Sequence, residues 1–277
     1  MSKSPSAEQF VQSGLAHHQA GRLDKANDDY QQALSLNPSH PDALHLLGML
    51  AHQVGDNELA VDLINLAIYG SPDFPNYHCN LGTVLQAQGK LDDAILSFRQ
   101  AIKMDAKNAI YHYNLGRALQ VNNQLKLAVE SYRQALVITP EHVETLSNLA
   151  HSLRALGELD EAIKLFVRAS VVAPNLAEIH FNLGAALNDQ GKLSAAIESY
   201  QSAISLSPGY AHAHCNLGAA LLAKGKFEDA IASYQRSLAI NPNFAEAHFN
   251  LGIAYQAQDQ LERAINSYRR ALELQPQ

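Results

Sequence analysis

Long apolar runs are missing from this 277-residue sequence. A membrane-spanning helix needs about 20 consecutive apolar residues, and no stretch approaches that length. The opening residues, MSKSPSAEQF, also lack the apolar centre of a secretory signal peptide. The sequence therefore predicts a cytoplasmic protein without a membrane partner.

An excess of positive charge is missing as well. The chain carries 20 Lys and Arg against 27 Asp and Glu, which gives a formal net charge of -7. The basic residues are scattered, whereas a protein that binds nucleic acid gathers them into a patch or stripe. These features exclude nucleic acid as an expected partner.

Motifs that hold nucleotides or cofactors are a third absence. The sequence contains neither the G-x-G-x-x-G fingerprint of a dinucleotide-binding turn nor a Gly-Lys phosphate loop. It also lacks a recognisable nucleophile with an activating base. We therefore expect no cofactor and no enzyme activity in these residues.

One pentapeptide, in contrast, occurs again and again. HCNLG, HYNLG or HFNLG begins at His78, His112, His180, His214 and His248, so every interval is 34 residues or a multiple of 34. Rows of 34 residues that start at Ala7 run to the end of the chain without an insertion. They define eight repeats, which are 7–40, 41–74, 75–108, 109–142, 143–176, 177–210, 211–244 and 245–277.

Four positions of the repeat, counted from its first residue, are nearly constant. Position 20 is Ala in all eight repeats, and position 8 is Gly in seven, with Ala150 as the exception. Position 24 is aromatic in seven repeats, with Ile64 in the second, and position 32 is Pro in seven, with Ala106 in the third.

Each repeat has the pattern of two helices. In the sixth repeat, His180, Leu183, Gly184 and Leu187 form one apolar stripe of helical period, and a second stripe runs over residues 196–204. Gly191 separates the stripes and Pro208 ends the unit. We expect the small residues at positions 8 and 20 to let the two helices of a pair approach closely.

H-x-N-L-G, Ala at position 20, an aromatic residue at 24 and Pro at 32 together resemble the tetratricopeptide repeat (TPR) over residues 7–277. One helix pair cannot bury both of its apolar faces, so neighbouring pairs must stack into a solenoid. The resemblance implies an all-α fold, a right-handed superhelix of eight helix-turn-helix repeats whose first helices line the groove. Residues 1–6 are expected to be a disordered lead.

The second and third repeats carry a narrower resemblance. ALHLLGMLAHQVGDNELAVDLINLAI, which begins at Ala43, and the following NYHCNLGTVLQAQGKLDDAI are similar to the amino-terminal repeats of bacterial proteins like the O-linked N-acetylglucosamine transferases. In that family the repeats present protein substrates to a glycosyltransferase domain. Repeats of the same style also precede sulfotransferase and methyltransferase domains.

The asparagine of the pentapeptide stands at position 6. On a helical wheel this position lies about 150° from the centre of the core stripe, so the side chains are expected to face outward as a ladder in the groove. In the transferases that the chain resembles, such a ladder holds the backbone of an extended peptide through both amide groups. The matching residues are Asn80, Asn114, Asn148, Asn182, Asn216 and Asn250.

A structural role for these asparagines is the open alternative, because asparagine is common at this position in tetratricopeptide repeats and can bond to a neighbouring helix. Positions 2, 5, 9, 12 and 13 are predicted to share the outward face and give it a polar character with aromatic spots. Only Arg117 and Arg154 could serve there as a carboxylate clamp. A reader of acidic carboxyl termini is therefore disfavoured.

The histidines and cysteines are expected to be structural. The pentapeptide histidines belong to the core stripe and recur at ~10 Å of helix packing, too far apart to share a zinc ion at ~2.0–2.1 Å. They are expected to be packed or hydrogen-bonded, and no metal site is predicted. Cys79 and Cys215 lie four repeats apart, beyond disulfide reach, and should be free apolar fillers.

These observations favour a non-catalytic module that binds an extended peptide or protein segment, the substrate-recognition region of a bacterial O-linked N-acetylglucosamine transferase-like protein. The alternative is a stand-alone oligomeric scaffold. Ile265, Tyr268 and Leu272 of the last repeat lie on a face that no later helix of the sequence covers. Because solenoid ends normally carry a polar cap, either the sequence is a piece of a longer protein or this face is expected to pair with another chain.

Overall fold

The computed structural model describes residues 5–275. These residues form sixteen α-helices and no strand. The chain divides after Pro140 into two compact units, and each unit contains eight helices. This architecture confirms the predicted all-α class, and each predicted repeat contains one helix pair.

The helices are evenly matched in length, with 13 residues in the first helix of a pair and 14 in the second. The first unit contains α1 (Ala7–Gln19), α2 (Leu23–Leu36), α3 (Pro41–Gln53), α4 (Asn57–Gly70), α5 (Pro75–Ala87), α6 (Leu91–Met104), α7 (Ala109–Val121) and α8 (Leu125–Ile138). The second unit contains α9 (Val143–Ala155), α10 (Leu159–Val172), α11 (Ala177–Asp189), α12 (Leu193–Leu206), α13 (Ala211–Ala223), α14 (Phe227–Ile240), α15 (Ala245–Ala257) and α16 (Leu261–Leu274).

The start of the fold is fixed by a capping box. The Ser6 side chain accepts a hydrogen bond from the backbone N–H of Gln9, and the Gln9 side chain accepts one from the Ser6 N–H. Such reciprocal bonds satisfy two N–H groups that an α-helix leaves open at its beginning. Ser6, the last residue of the predicted lead, therefore caps α1, whereas residues 1–4 of that lead lie outside the described residues.

The turn inside each pair needs a left-handed residue at position 15. Glycine fills it in six repeats, for example Gly191 at φ 77°. The two other repeats have Asn123 at φ 55° and Asp259 at φ 59°. Asparagine and aspartate are the residues other than glycine that tolerate this conformation best, so the same turn forms in all eight pairs.

The helices of a pair meet where a glycine faces a ring. A Cβ atom added to Gly184 would lie 2.7 Å from Cδ1 of Tyr200, which is 1% exposed. Gly82, Gly116 and Gly218 face Phe98, Tyr132 and Tyr234 in the same way. The close approach predicted from positions 8 and 20 is confirmed, and the group that requires it is the aromatic side chain at position 24.

The fifth repeat shows what a methyl group does at this contact. Ala150 replaces the glycine and is fully buried, and Phe166 supplies the ring. The backbones of α9 and α10 approach each other less closely than those of the other seven pairs. The contact between helix and ring thus sets the spacing of the pair.

The tyrosine hydroxyls at position 24 bond to a glutamine at position 12 in the fourth and eighth repeats. Tyr132 donates to Gln120 Oε1 at 2.7 Å, and Tyr268 donates to Gln256 Oε1 at 2.8 Å. In the seventh repeat position 12 is Leu222, and the buried Tyr234 hydroxyl has no hydrogen-bond partner among the described residues.

We expect Gly184→Ala to lower the free energy of unfolding by about 1–2 kcal/mol, measured by chemical denaturation. Overpacking against the immobile Tyr200 ring costs about 1–3 kcal/mol, which outweighs the gain of up to about 1 kcal/mol in helix propensity. Gly209→Ala is the matched control, because nothing lies within 4 Å of a Cβ atom at that position. Equal stability of the two variants would contradict the assigned role of the ring contact.

Removal of the two tyrosine hydroxyls should have different effects on stability. Tyr132→Phe loses a made hydrogen bond, worth about 0.5–1.5 kcal/mol. Tyr234→Phe removes a buried hydroxyl without a partner and should leave stability unchanged or raise it, because burying an unsatisfied polar group costs free energy. Denaturation midpoints of the two variants, measured side by side, test this order.

Candidate functional site

The first helices form the inner face of each unit. In the first unit, α1 lies close to α3, α3 to α5 and α5 to α7. In the second unit, α11 lies close to α13 and α13 to α15. Among residues 5–275 the second helices of neighbouring pairs make no comparable approach. Each unit therefore curves toward its first helices, and we call this side its inner face.

Neighbouring first helices are joined in a fixed register. Side-chain bonds between them link residues that are 35 apart in sequence, which is one residue more than the length of a repeat. A residue at position 3 or 6 of one first helix therefore bonds to the residue at position 2 or 5 of the first helix before it. Tyr111 donates to Asn76 Oδ1 at 2.5 Å by this rule. Arg154 and Asp189 form an ion pair in the same register, with Nε and Oδ2 2.5 Å apart.

The asparagines at position 6 follow this register and are not fully outward-facing. None of the six is exposed, and Asn182 is only 8% exposed. The predicted outward-facing ladder is therefore partly covered at five positions and buried at Asn182, because a wheel drawn for one helix omits the preceding first helix, which covers one side of position 6. Asn80 and Asn114 lie in the first unit, and Asn148, Asn182, Asn216 and Asn250 lie in the second.

Four of these asparagines bond to the preceding repeat. Asn80 Nδ2 lies 2.7 Å from His45 Nε2, and Asn114 Nδ2 donates to Cys79 Sγ at 3.4 Å. Asn250 Nδ2 makes a longer contact of 4.0 Å with Cys215 Sγ, and Asn216 shares a hydrogen bond with the Tyr200 hydroxyl. The inter-helix role that the sequence left open is therefore present at these positions.

A bond of this kind occupies only part of the hydrogen-bonding capacity of an asparagine side chain. The amide group has two N–H donors and one carbonyl acceptor, and the contact to the preceding helix engages a single N–H at Asn80, Asn114 and Asn250. Each of these side chains is half-buried. The bond thus fixes the orientation of the amide, and each of these residues keeps some exposure to solvent.

The two cysteines at position 5 are free and buried, as predicted. Loss of hydration raises the pKa of Cys215 to about 12, and burial raises that of Cys79 as well. Both groups are therefore neutral thiols at physiological pH and serve as soft acceptors rather than nucleophiles. Position 5, predicted to be outward-facing, is buried at these two residues because the next first helix covers it.

The pentapeptide histidines bind backbone. The Nε2 atoms of His78, His112, His180, His214 and His248 lie 2.9–3.1 Å from the carbonyl oxygen of the residue six positions earlier, at the end of the preceding repeat. This confirms the prediction of hydrogen-bonded histidines, which fasten these five first helices to the turns before them. Within residues 5–275 no group of three His, Cys, Asp or Glu side chains could hold a metal ion.

The inner face of the second unit also carries a row of rings. Phe181 packs against Tyr210 at 4.9 Å between centroids, Tyr210 lies 6.5 Å from His212, and His212 lies 4.7 Å from Phe244. Tyr210 and Phe244 precede the helices at position 34, where helical periodicity does not apply, so sequence reasoning missed them. The signal was present, because position 34 is also aromatic at Phe74.

The two arginines of the inner face are already engaged. Arg154 pairs with Asp189, and the Arg117 guanidinium lies 5.9 Å from the centre of the Tyr113 ring. A carboxylate clamp needs several cationic groups free to converge on one anion. Both arginines of the predicted outward face thus have a partner within the chain itself.

His45, the partner of Asn80, has a lowered pKa. Burial lowers its pKa from the usual 6.5 to about 4, and Asp42 opposes this effect only in part. The bond from Asn80 requires an unprotonated Nε2 acceptor. Between pH 6.5 and about 4 the unfolded chain binds a proton that the folded chain resists, so stability is full above this window and falls through it.

The free energy of unfolding of the wild type should fall between pH 7 and pH 4 as His45 becomes protonated. We expect this fall to be smaller in His45→Gln by roughly 2–3 kcal/mol, because each pKa unit carries 1.36 kcal/mol. Denaturation at several pH values measures this slope. An unchanged slope in His45→Gln would show that the ring titrates normally.

Within residues 5–275, no helix has the length and apolar character needed to cross a membrane.

Comparison with protein families gives matches along most of the chain. A family described as "TPR repeat" matches residues 14–55, 150–188, 185–225 and 220–259. Families described as "Tetratricopeptide repeat" match residues 79–143 and 245–277.

Solved structures of the same architecture are numerous. A crystal structure of MamA is 28% identical, covers 60% of this chain and 91% of its own, and has a TM-score of 0.56. YrrB, described as a TPR protein with an unusual peptide-binding site, is 23% identical over 68% of this chain and 96% of its own, with a TM-score of 0.60. PilF of Pseudomonas aeruginosa is 20% identical over 73% of this chain and 92% of its own, with a TM-score of 0.61.

At these identities YrrB and PilF show the fold alone. No curated protein sequence matches the chain. The family matches cover more than half of it and span helices of all eight pairs. The chain belongs to the tetratricopeptide repeat family.

Proposed function

We propose that the inner face of the second unit is a non-catalytic site that binds the backbone of an extended polypeptide. Asn148, Asn182, Asn216 and Asn250 form its ladder, in which the buried Asn182 is the least accessible rung, and Asn80 and Asn114 are rungs of the same kind in the first unit. The observation that carries the proposal is the held amide: one N–H is tied to the preceding helix at Asn250 of this unit, and in the same register at Asn80 and Asn114 of the first unit.

The spacing of the rungs suits an extended chain. Packed helices repeat at ~10 Å, and an extended peptide advances ~3.3 Å per residue. One asparagine then meets every third residue, through an N–H or C=O that every peptide offers. The rings of Phe181, Tyr210 and Phe244 supply apolar contact without selecting one side chain.

The experiment uses a pool of unrelated 15-residue peptides and the triple variant Asn148→Ala, Asn216→Ala, Asn250→Ala. Each lost hydrogen bond is worth about 0.5–1.5 kcal/mol, so we expect the affinity to fall at least tenfold in fluorescence anisotropy. Peptides with proline at every third residue should bind poorly to the wild type, because they lack the N–H groups.

The structural role of the asparagines needs its own control. Tyr200→Phe removes the partner of Asn216 and keeps the amide, so it should lower stability without weakening peptide binding. The proposal fails if the triple variant melts earlier and binds as the wild type does. It also fails if no peptide of the pool binds the wild type.

We further propose that these repeats are the substrate-recognition region of a cytoplasmic protein similar to the O-linked N-acetylglucosamine transferases. The support is the resemblance of the second and third repeats together with the asparagine at position 6. A glycosyltransferase domain encoded after residue 277 of the gene would agree with this proposal, and a different domain there would oppose it.

A stand-alone oligomeric scaffold is the second candidate. Phe249 and Leu272 of the last repeat are 51% and 63% exposed and line a cavity of about 640 Å³. The first helix of a second copy fits this face poorly, because Gln9 and Ser13 stand where Leu251 and other buried residues are found in later repeats. Pairing of two last repeats is the remaining arrangement, and a concentration-independent monomer in light scattering would exclude it.

A further inference from the structure

The outer face of α4 carries an apolar stripe that the stacking of repeats does not use. Leu59 is 46% exposed, Leu66 55% and Tyr69 91%. At ~100° per residue these side chains fall within an arc of about 80° on the side opposite the buried Ala60 and Ile64. Side chains of this size usually occur singly on a protein surface, and a contiguous group marks an interaction site.

Repeat symmetry shows that the fold does not require this stripe. The position of Leu66 is polar in every other repeat, where it is Gln32, Gln100, Gln134, Arg168, Ser202, Arg236 and Arg270. The position of Tyr69 is Ser35 in the first repeat and Ser205 in the sixth. No other second helix has large apolar residues at all three positions. The stripe is therefore a property of the second repeat alone.

The charge carried by the second repeat itself has one sign. Residues 41–74 contain no Lys or Arg, and their acidic residues are Asp42, Asp56, Glu58, Asp62 and Asp73. Asp62 lies within the arc of the stripe, one turn after Leu59, and Glu58 lies at its edge; both are exposed. A partner must therefore cover apolar surface and bring positive charge to it.

We propose that the outer face of α4 docks an amphipathic helix of a partner protein, with an apolar stripe flanked by Lys or Arg. From Leu59 to Tyr69 the stripe is ~15 Å long at 1.5 Å per residue, which about three turns of a partner helix cover. A second copy of this face would set Asp62 and Glu58 against the same carboxylates, and an anionic lipid surface would repel them. This surface is separate from the inner face and does not depend on the proposed peptide site.

The test uses a labelled 20-residue helical peptide with Leu at every third or fourth position and Lys elsewhere. A second peptide has Glu in place of Lys. We expect the wild type to bind the Lys peptide at least tenfold more tightly than the Glu peptide in fluorescence anisotropy. Asp62→Asn should weaken binding of the Lys peptide several-fold at low salt, and the difference should shrink at high salt because ions screen exposed charges.

The decisive variant is the double substitution Leu66→Gln, Tyr69→Ser, which installs residues that other repeats carry at the same positions. It keeps the net charge and should keep the melting temperature, yet lower the affinity for the Lys peptide at least tenfold. Val171→Ser, which removes an apolar side chain that is 76% exposed on α10, is the matched control and should bind as the wild type does.

Three results would overturn the proposal. Equal binding by the double variant and the wild type would mean that the Lys peptide is attracted only by the overall negative charge. A dimer in sedimentation that the double variant abolishes would make a second copy the occupant. Association with anionic vesicles that depends on Leu66 and Tyr69 would assign the stripe to a lipid surface.

Discussion

The close approach between the two helices of a pair is the constraint on which the rest of the structure depends. A glycine on the first helix leaves room for a ring from the second, and the buried alanine at position 20 lets the backbones meet beside it. Once a pair has this spacing, its outer surfaces repeat every 34 residues. Neighbouring pairs then stack in one register, as the side-chain bonds between residues 35 apart show.

That register explains why the pentapeptide serves structure and surface together. Its histidine holds the preceding carbonyl, its leucine and glycine lie against the second helix, and its asparagine bridges to the previous first helix. An amide with two donors and an acceptor can bridge and still bind. A structural role and a peptide-binding role of the asparagine are therefore compatible. Only a variant that changes stability and peptide binding separately can show how much each role contributes.

The sequence was sufficient to predict the helices, but it was insufficient to predict which residues an adjacent helix would cover. Periodicity and punctuation located all sixteen helices, because each signal is local to one helix or one turn. The exposure of Asn182 and Cys215 was misjudged, because it depends on the adjacent first helix and not on the wheel of their own. The rings of Tyr210 and Phe244 were missed since they stand just before a helix, where no periodic rule applies.

Repetition gives a further kind of inference, because each repeat is a control for the others. A residue shared by all repeats, such as the alanine at position 20, satisfies a demand of the fold. A residue that differs from the residues at the same position of the other repeats, and that has no packing reason to differ, must be explained in another way. Ala150 has such a reason, since α9 and α10 are further apart. Leu66 has none, because its side chain is 55% exposed and its counterparts are polar. The apolar surface of α4 is therefore better explained by contact with another molecule than by the stability of this one.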